Sequence, residues 1–145
     1  MEITDPFKHR VRVNVRFNDI DLLHHVNNSA YCSMLDEGRV IYFRDVGQNR
    51  FDWSEINFVL VNLHLNFKAS AHLFDKVEVF TRVVRIGNKS LTMEQEIRLR
   101  PEGKLLVNAT SVVSGYNRKA ETSEVITSEW INAFESFEGK ILKER

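Results

Sequence analysis

The stretch DIDLLHHVNNSAYCSMLDEGRVIYF, Asp19 to Phe43, changes character halfway. Asp19 to Asn28 holds two acids, two histidines and two asparagines. After it, Tyr31, Met34, Leu35, Gly38, Ile41 and Tyr42 recur at three- and four-residue steps. That recurrence puts the six on one face of a helix, predicted over about Ser29–Val46. Asn28 is expected as its N-cap, because an asparagine oxygen there accepts from a free first-turn N–H. Gly47 is expected as its stop. A mid-helix glycine such as Gly38 costs roughly 1 kcal/mol against alanine, which predicts close approach of another backbone. Val40 and Phe43 lie off the main stripe, so the helix is expected to be buried over much of its girth. The polar run is therefore a loop that feeds the positive end of a buried helix.

Strands flank this unit. Upstream, Val11, Val13, Val15 and Phe17 alternate with Arg12, Asn14 and Arg16, the pattern of a strand with one buried face. Downstream, Gln48–Asn57 is an irregular link carrying Phe51, Trp53 and Ile56. Then Val59, Val61, Leu63, Leu65 and Phe67 alternate with Leu60, Asn62, His64 and Asn66. Val77–Val84 and Leu91–Arg100 alternate likewise. GNK at Gly87–Lys89 and PEGK at Pro101–Lys104 read as turns, and Leu105–Tyr116 is the last long strand. Trp130, Ile131, Phe134 and Phe137 have helical spacing over Ser128–Phe137, with Thr127 or Ser128 as cap. A strand, a buried helix, four strands and a short helix make an α+β two-layer domain, and the hairpin turns between the later strands make that part of the sheet antiparallel. The length is that of one domain, residues 1–145.

Composition narrows the function classes. The chain is 43% hydrophobic and 28% charged, as soluble globular proteins are. Its 20 basic and 20 acidic residues cancel, so nothing global steers it to nucleic acid or anionic lipid, although a local basic patch has room to exist. No apolar run is long enough to span a membrane. One cysteine, Cys32, excludes an intrachain disulfide, and MEITDPFKHR lacks the apolar core of a secretory signal. A soluble cytoplasmic protein is expected. The five histidines show no metal-ligand spacing, so no metal or cofactor is expected. Cys32, in an apolar helix without a partner, is expected to pack as a small hydrophobe. Asp36 and Arg39 are expected as an ordinary helix-surface pair.

The quoted stretch resembles the signature of the single-domain hotdog-fold acyl-CoA thioesterases, the superfamily of 4-hydroxybenzoyl-CoA thioesterase. The likeness continues through FVLVNLHLNFKASAHLFDKVEVFTRVVRIGNKSLTMEQEIRLRPEGKLLVNATSVV, which is similar to the bacterial long-chain acyl-CoA thioesterases. The resemblance implies a hotdog fold, a curved antiparallel sheet wrapped around one long central helix. It implies hydrolysis of acyl-CoA, in a homodimer or homotetramer whose sites form at the dimer seam. By position it makes Asp21 the catalytic acid and puts the carbonyl-polarising backbone amide at Asn28. Tyr31 matches the tyrosine that closes the motif, and Glu37-Gly38-Arg39 matches a common E-A-R. Two residues depart: His24 stands where many members have glycine, and Gly38 where alanine is usual.

The chemistry of the loop fits that implication. Thioester hydrolysis needs an activated water or an attacking carboxylate, and stabilisation of the carbonyl oxygen as it turns negative. A helix start offers unsatisfied N–H groups and about half a positive charge, and one aimed donor contributes on the order of 10²–10³ in rate. Asp21 precedes Asn28 by seven residues, near enough to fold back over the helix start. The expected catalytic set is Asp21 and Asn28, with His25 orienting loop or carbonyl. Tyr31, Glu37, Lys68 and Phe58 are expected to touch substrate. Phe43, Phe51 and Trp53 are further candidates for the acyl tail, and Arg85 and Lys89 for the phosphates. Acyl carrier protein thioesters as substrates, a non-catalytic acyl-CoA-binding module, and a dehydratase using His25 and Glu37 are the alternatives.

Overall fold

The structure is a computed structural model and describes residues 5–48 and 57–144. Phe51, Trp53 and Ile56 lie outside the described residues. The elements run β1 (His9–Asn14), α1 (Asn28–Val46), β2 (Phe58–Phe67), β3 (Lys76–Ile86), β4 (Ser90–Leu99), β5 (Lys104–Asn117), the short β6 (Thr122–Ser123) and α2 (Ser128–Glu138). The sheet is antiparallel throughout, in the order β1-β3-β4-β5-β2, with β6 on β5. This is the α+β arrangement of one long helix against an antiparallel sheet that the hotdog resemblance implies.

The sheet's inner face carries Val77, Val79, Val83, Leu91, Met93, Ile97, Val107 and Val113, all buried under the helices. Leu35, Tyr31 and Met34 of α1 close one half of the core, and Tyr42 and Phe43 join Trp130 and Phe134 of α2 in the other. Thr127 caps α2 as expected, its hydroxyl accepting the Trp130 N–H at 3.2 Å. Gly38 has its close approach, but to side chains: a Cβ there would stand 2.5 Å from Val79 Cγ1 and 3.4 Å from Gln95 Nε2.

Several local expectations need correction. The N-cap is Asn27, not Asn28. The Asn27 N–H is held by the Asp19 carbonyl at 2.7 Å, and its Oδ1 accepts the Ser29 N–H at 2.9 Å, so Asn28 becomes the first helical residue. The helix ends at Val46 with Gly47 as its C-cap, as expected, while the left-handed backbone falls one residue later, on Gln48. Asp36, Glu37, Val40 and Arg44 face water in the single chain, so α1 is buried on one side only. The first strand stops at Asn14. The next residues turn through a 3-10 segment, Phe17–Asp19, which takes Phe17 off the buried face.

The alternation read across Val59–Phe67 breaks at a bulge between Leu60 and Asn62. Phe58 and Leu60 therefore share the inner face with Leu63, Leu65 and Phe67, each standing opposite an inward β5 residue (Gly115, Val113, Ser111, Ala109, Val107). The Asp36–Arg39 pair exists at 2.7 Å, but Arg39 is buried, not at the surface. Its Nη2 also donates to Gln95 Oε1 at 3.2 Å, and Gln95 Nε2 donates to the Leu35 carbonyl and to Thr81 Oγ1, both at 3.0 Å. Three buried polar side chains thus fasten α1 to the sheet, with the Arg39 Nε–H the one donor among them left without a partner among the described residues.

Candidate active site

Pairing places three loops at one end of the sheet. Asn14 faces Lys76, Leu99 faces Val77 and Lys104, and Phe67 faces Val107. Residues 15–27, 68–75 and 100–103 therefore gather where α1 begins. The first of these loops is a small hairpin. Ile20 bridges Val26, the Asp21 N–H donates to the His25 carbonyl at 3.1 Å, and the His24 N–H donates back to the Asp21 carbonyl at 3.0 Å. This doubling back carries Asp21 to the helix start.

The two acids of D-x-D do different work. Asp19 is buried. Its carboxylate accepts the Arg16 N–H at 2.8 Å and the Arg16 guanidinium at 3.1 Å, while its carbonyl holds Asn27. It is a turn-forming residue. Asp21 is half-buried. Its Oδ1 accepts the Leu23 N–H at 2.9 Å, and Oδ2 has no partner among the described residues. A cavity of about 200 Å³ is lined by Asp21, Leu23, His25, Asn28, Tyr31 and Phe67, with Val26, Asn27, Ala69 and Ser70.

At the helix start the donors are sorted. The Ser29 N–H goes to Asn27 Oδ1 and the Ala30 N–H to the Asn27 carbonyl at 2.9 Å. The Asn28 N–H meets no acceptor among the described residues. The first turn of α1 carries no acid, so its positive end is not neutralised from within the helix. Tyr31 is buried, and its hydroxyl accepts the Ala71 N–H at 2.9 Å. Burial, with Asp75 nearby, raises its pKa above the ordinary tyrosine range despite that bond. The phenol thus stays protonated, with its own O–H free of any described acceptor.

Of the expected residues, Asp21, His25, Asn28 and Tyr31 converge on this cavity; Lys68 sits in the chain between two lining residues, Phe67 and Ala69, but does not itself line it. Glu37 does not join them. It lines a separate cavity of about 450 Å³ with Arg12, Arg16 and Ser33, on the β1 side of the helix. Phe58 begins β2 at the opposite end from the cavity and stacks on Phe43 at 4.8 Å within the aromatic core. Arg85 and Lys89 also lie at that far end, where Arg85 is paired with Glu144 at 2.7 Å. In the β2–β3 connection the sequence points to Lys68 alone. There His72 meets the His25 ring edge-to-face at 5.2 Å, and its N–H donates to Asp75 Oδ2 at 2.9 Å. Among the described residues, no group of three His, Cys, Asp or Glu is placed to hold a metal ion, and no helix is long and apolar enough to cross a membrane.

The chain matches the model of the thioesterase-like superfamily over residues 15–133. It is 30% identical over 103 residues to the long-chain acyl-CoA thioesterase FadM of Escherichia coli, covering 69% of this chain and 76% of FadM. A thioesterase from Thermus thermophilus, solved with coenzyme A and zinc, superposes with a TM-score of 0.85 at 28% identity, over 96% of this chain and all of that one. YbaW, a probable thioesterase from Escherichia coli, gives 0.72 at 26% identity, over 88% of this chain and 97% of its own. By fold, by the loop at the helix start and by these matches, the chain belongs to the thioesterase-like superfamily, and it is a thioesterase.

Proposed function

We propose that the chain hydrolyses acyl-CoA thioesters, with the Asp21 carboxylate as base or nucleophile and the Asn28 N–H as oxyanion donor. The observation that carries this is the shared cavity, where a carboxylate oxygen and a first-turn amide are both left without partners among the described residues. A thiolate leaves readily, so one carboxylate and one positive helix end suffice without a strong general acid. The free Tyr31 O–H and the His25 ring are the further polar groups available to the thioester. The relative FadM is a long-chain acyl-CoA thioesterase, and the Thermus relative was solved with coenzyme A, which supports the same substrate class here.

The active unit in this proposal is a homodimer formed along β2, with a homotetramer arising when two such dimers pack. β2 is an edge strand, and Val59, Leu60, Val61 and Phe67 are exposed on it in the single chain. Pairing of an edge with its own copy about a two-fold axis runs the strands antiparallel. The Phe58 end of one chain then meets the Phe67 end of the other, so Phe58, Arg85 and Lys89 reach the second chain's cavity although they are far from their own. Lys68, exposed in the chain between the lining residues Phe67 and Ala69, offers a cation to the nucleotide phosphates. The protein is expected in the cytoplasm.

Release of free thiol from acyl-CoA substrates of graded chain length tests this directly. Turnover on acyl-CoA in preference to the matching acyl carrier protein thioester supports it. Binding of acyl-CoA with no thiol released overturns it.

A further inference from the structure

We propose that the end of the sheet bearing the candidate site docks on an anionic lipid surface, from which the enzyme draws its acyl thioester. The inference rests on the thioesterase function above and adds where the substrate is met. Four large apolar side chains project from the loops at this end: Phe17, Leu22, Leu23 and Phe74 are 79%, 96%, 73% and 84% exposed in the single chain. They are tips on two neighbouring loops that are joined by the Val26 N–H to Ala71 carbonyl bond at 2.9 Å. Exposed apolar groups gathered in this way mark an interaction surface.

Phe74 adds a second indication. Its φ is +71°, a left-handed backbone that side-chain-bearing residues rarely adopt because Cβ crowds the following carbonyl. No aromatic stacking within the described residues offsets that crowding, because the ring stands in water. An aromatic held strained and exposed makes physical sense once something apolar covers it.

The charges around the tips select the partner. Arg16, Lys68, Lys76 and Lys104 are exposed at the bases of these loops, and the three lysines have no acidic partner among the described residues. Of the carboxylates in the same loops, Asp19 is buried, Asp21 and Asp75 are half-buried, and Glu102 is exposed. The neutral total charge conceals this arrangement of apolar tips within a cationic fringe, which suits insertion among anionic headgroups. Separate protruding tips suit a soft lipid surface better than a flat protein face. Leu23 also lines the Asp21 cavity, so patch and site are continuous. An acyl tail passes along that side chain from lipid to carboxylate without crossing bulk water.

Co-sedimentation with vesicles tests the proposal, using phosphatidylcholine alone and phosphatidylcholine with an equal part of phosphatidylglycerol. Wild type is expected to bind the mixed vesicles at low salt and the neutral ones weakly. Leu22→Ser and Phe74→Gly are each expected to weaken vesicle binding about tenfold, with unchanged hydrolysis of a short, vesicle-free acyl-CoA. Phe74→Gly relieves backbone strain and so keeps the fold. Wild type left in the supernatant, variants that bind like wild type, or a change of assembly mass in the variants overturns the proposal. So does capture by an acidic carrier protein in place of vesicles. Thiol release in the vesicle-free assay reads the thioesterase function separately, so failure of either is seen without the other.

Discussion

The Tyr31 hydroxyl and the Ala71 N–H meet at 2.9 Å across forty residues of chain. The Ala71 carbonyl in turn accepts the Val26 N–H at 2.9 Å. One residue of the β2–β3 connection is therefore clamped between the helix and the loop that carries Asp21. Tyr31→Phe keeps the ring that lies against Phe67 and strands a buried donor, which costs about 1–3 kcal/mol. Urea unfolding should show that loss, together with a raised KM as the cavity wall loosens. Wild-type stability in the variant would mean that the clamp is not structural.

His24 holds a left-handed backbone, φ +64°, inside the loop that returns Asp21 to the helix. Glycine adopts that conformation without strain. Relief of strain outweighs the added freedom of the unfolded chain, so His24→Gly is expected to gain about 0.5–1 kcal/mol. In a chain of this size that is a rise of roughly 1.5–3.5 °C in Tm. A lower Tm would show that the imidazole makes a compensating contact.

Gly38 lies over Val79 with no room for a methyl group. Alanine gains about 1 kcal/mol in helix propensity, but overpacking against a β-branched side chain costs about 1–3 kcal/mol. Gly38→Ala is expected to destabilise, and Val79→Ala on that background to cost less than Val79→Ala alone. Equilibrium unfolding of the double-mutant cycle measures the coupling, and additive losses would contradict the contact.

Much of this architecture is legible in the sequence because its signals are periodic. Alternating valines give the strands, and Tyr31, Met34, Leu35, Gly38 and Tyr42 give the buried helix face. Non-periodic features are not. The bulge at Leu60–Asn62 shifts the phase of β2 without any glycine to mark it. Asn27 and Asn28 are equally good caps on paper, and the Asp19 carbonyl, a partner eight residues back, selects between them. Arg39 follows Leu35 by four residues and precedes Tyr42 by three, so its spacing places it on the buried side of α1, and Gln95 on β4 supplies the partner that its cationic side chain needs there. Asp21 and Asn28 could be picked out through their family positions, whereas His72 and Asp75 reach the site by tertiary pairing that no local pattern announces.

A buried carboxyl gives the fold a pH dependence. Burial pushes the Glu138 carboxyl above the ordinary glutamate range, only partly offset by the Tyr42 hydroxyl donating at 2.6 Å and by Lys8. A raised folded value means that this stability is fully present below the ordinary value of 4.5 and is lost as pH rises through the folded value. Glu138→Gln keeps an acceptor for Tyr42 and removes the titration. Denaturation across acid to neutral pH should therefore show the variant gaining on wild type as pH rises above that value. Parallel curves would rule out ionisation of Glu138 as the source.

The central claim is that the Asp21 carboxylate acts at the electropositive start of α1. Asp21→Asn is the direct probe, because asparagine retains the oxygen that accepts the Leu23 N–H and so preserves the loop. Its kcat for thiol release from acyl-CoA, measured beside an unchanged Tm, should fall by a factor on the order of 10²–10⁴. A folded Asp21→Asn protein turning over at the wild-type rate would contradict the account.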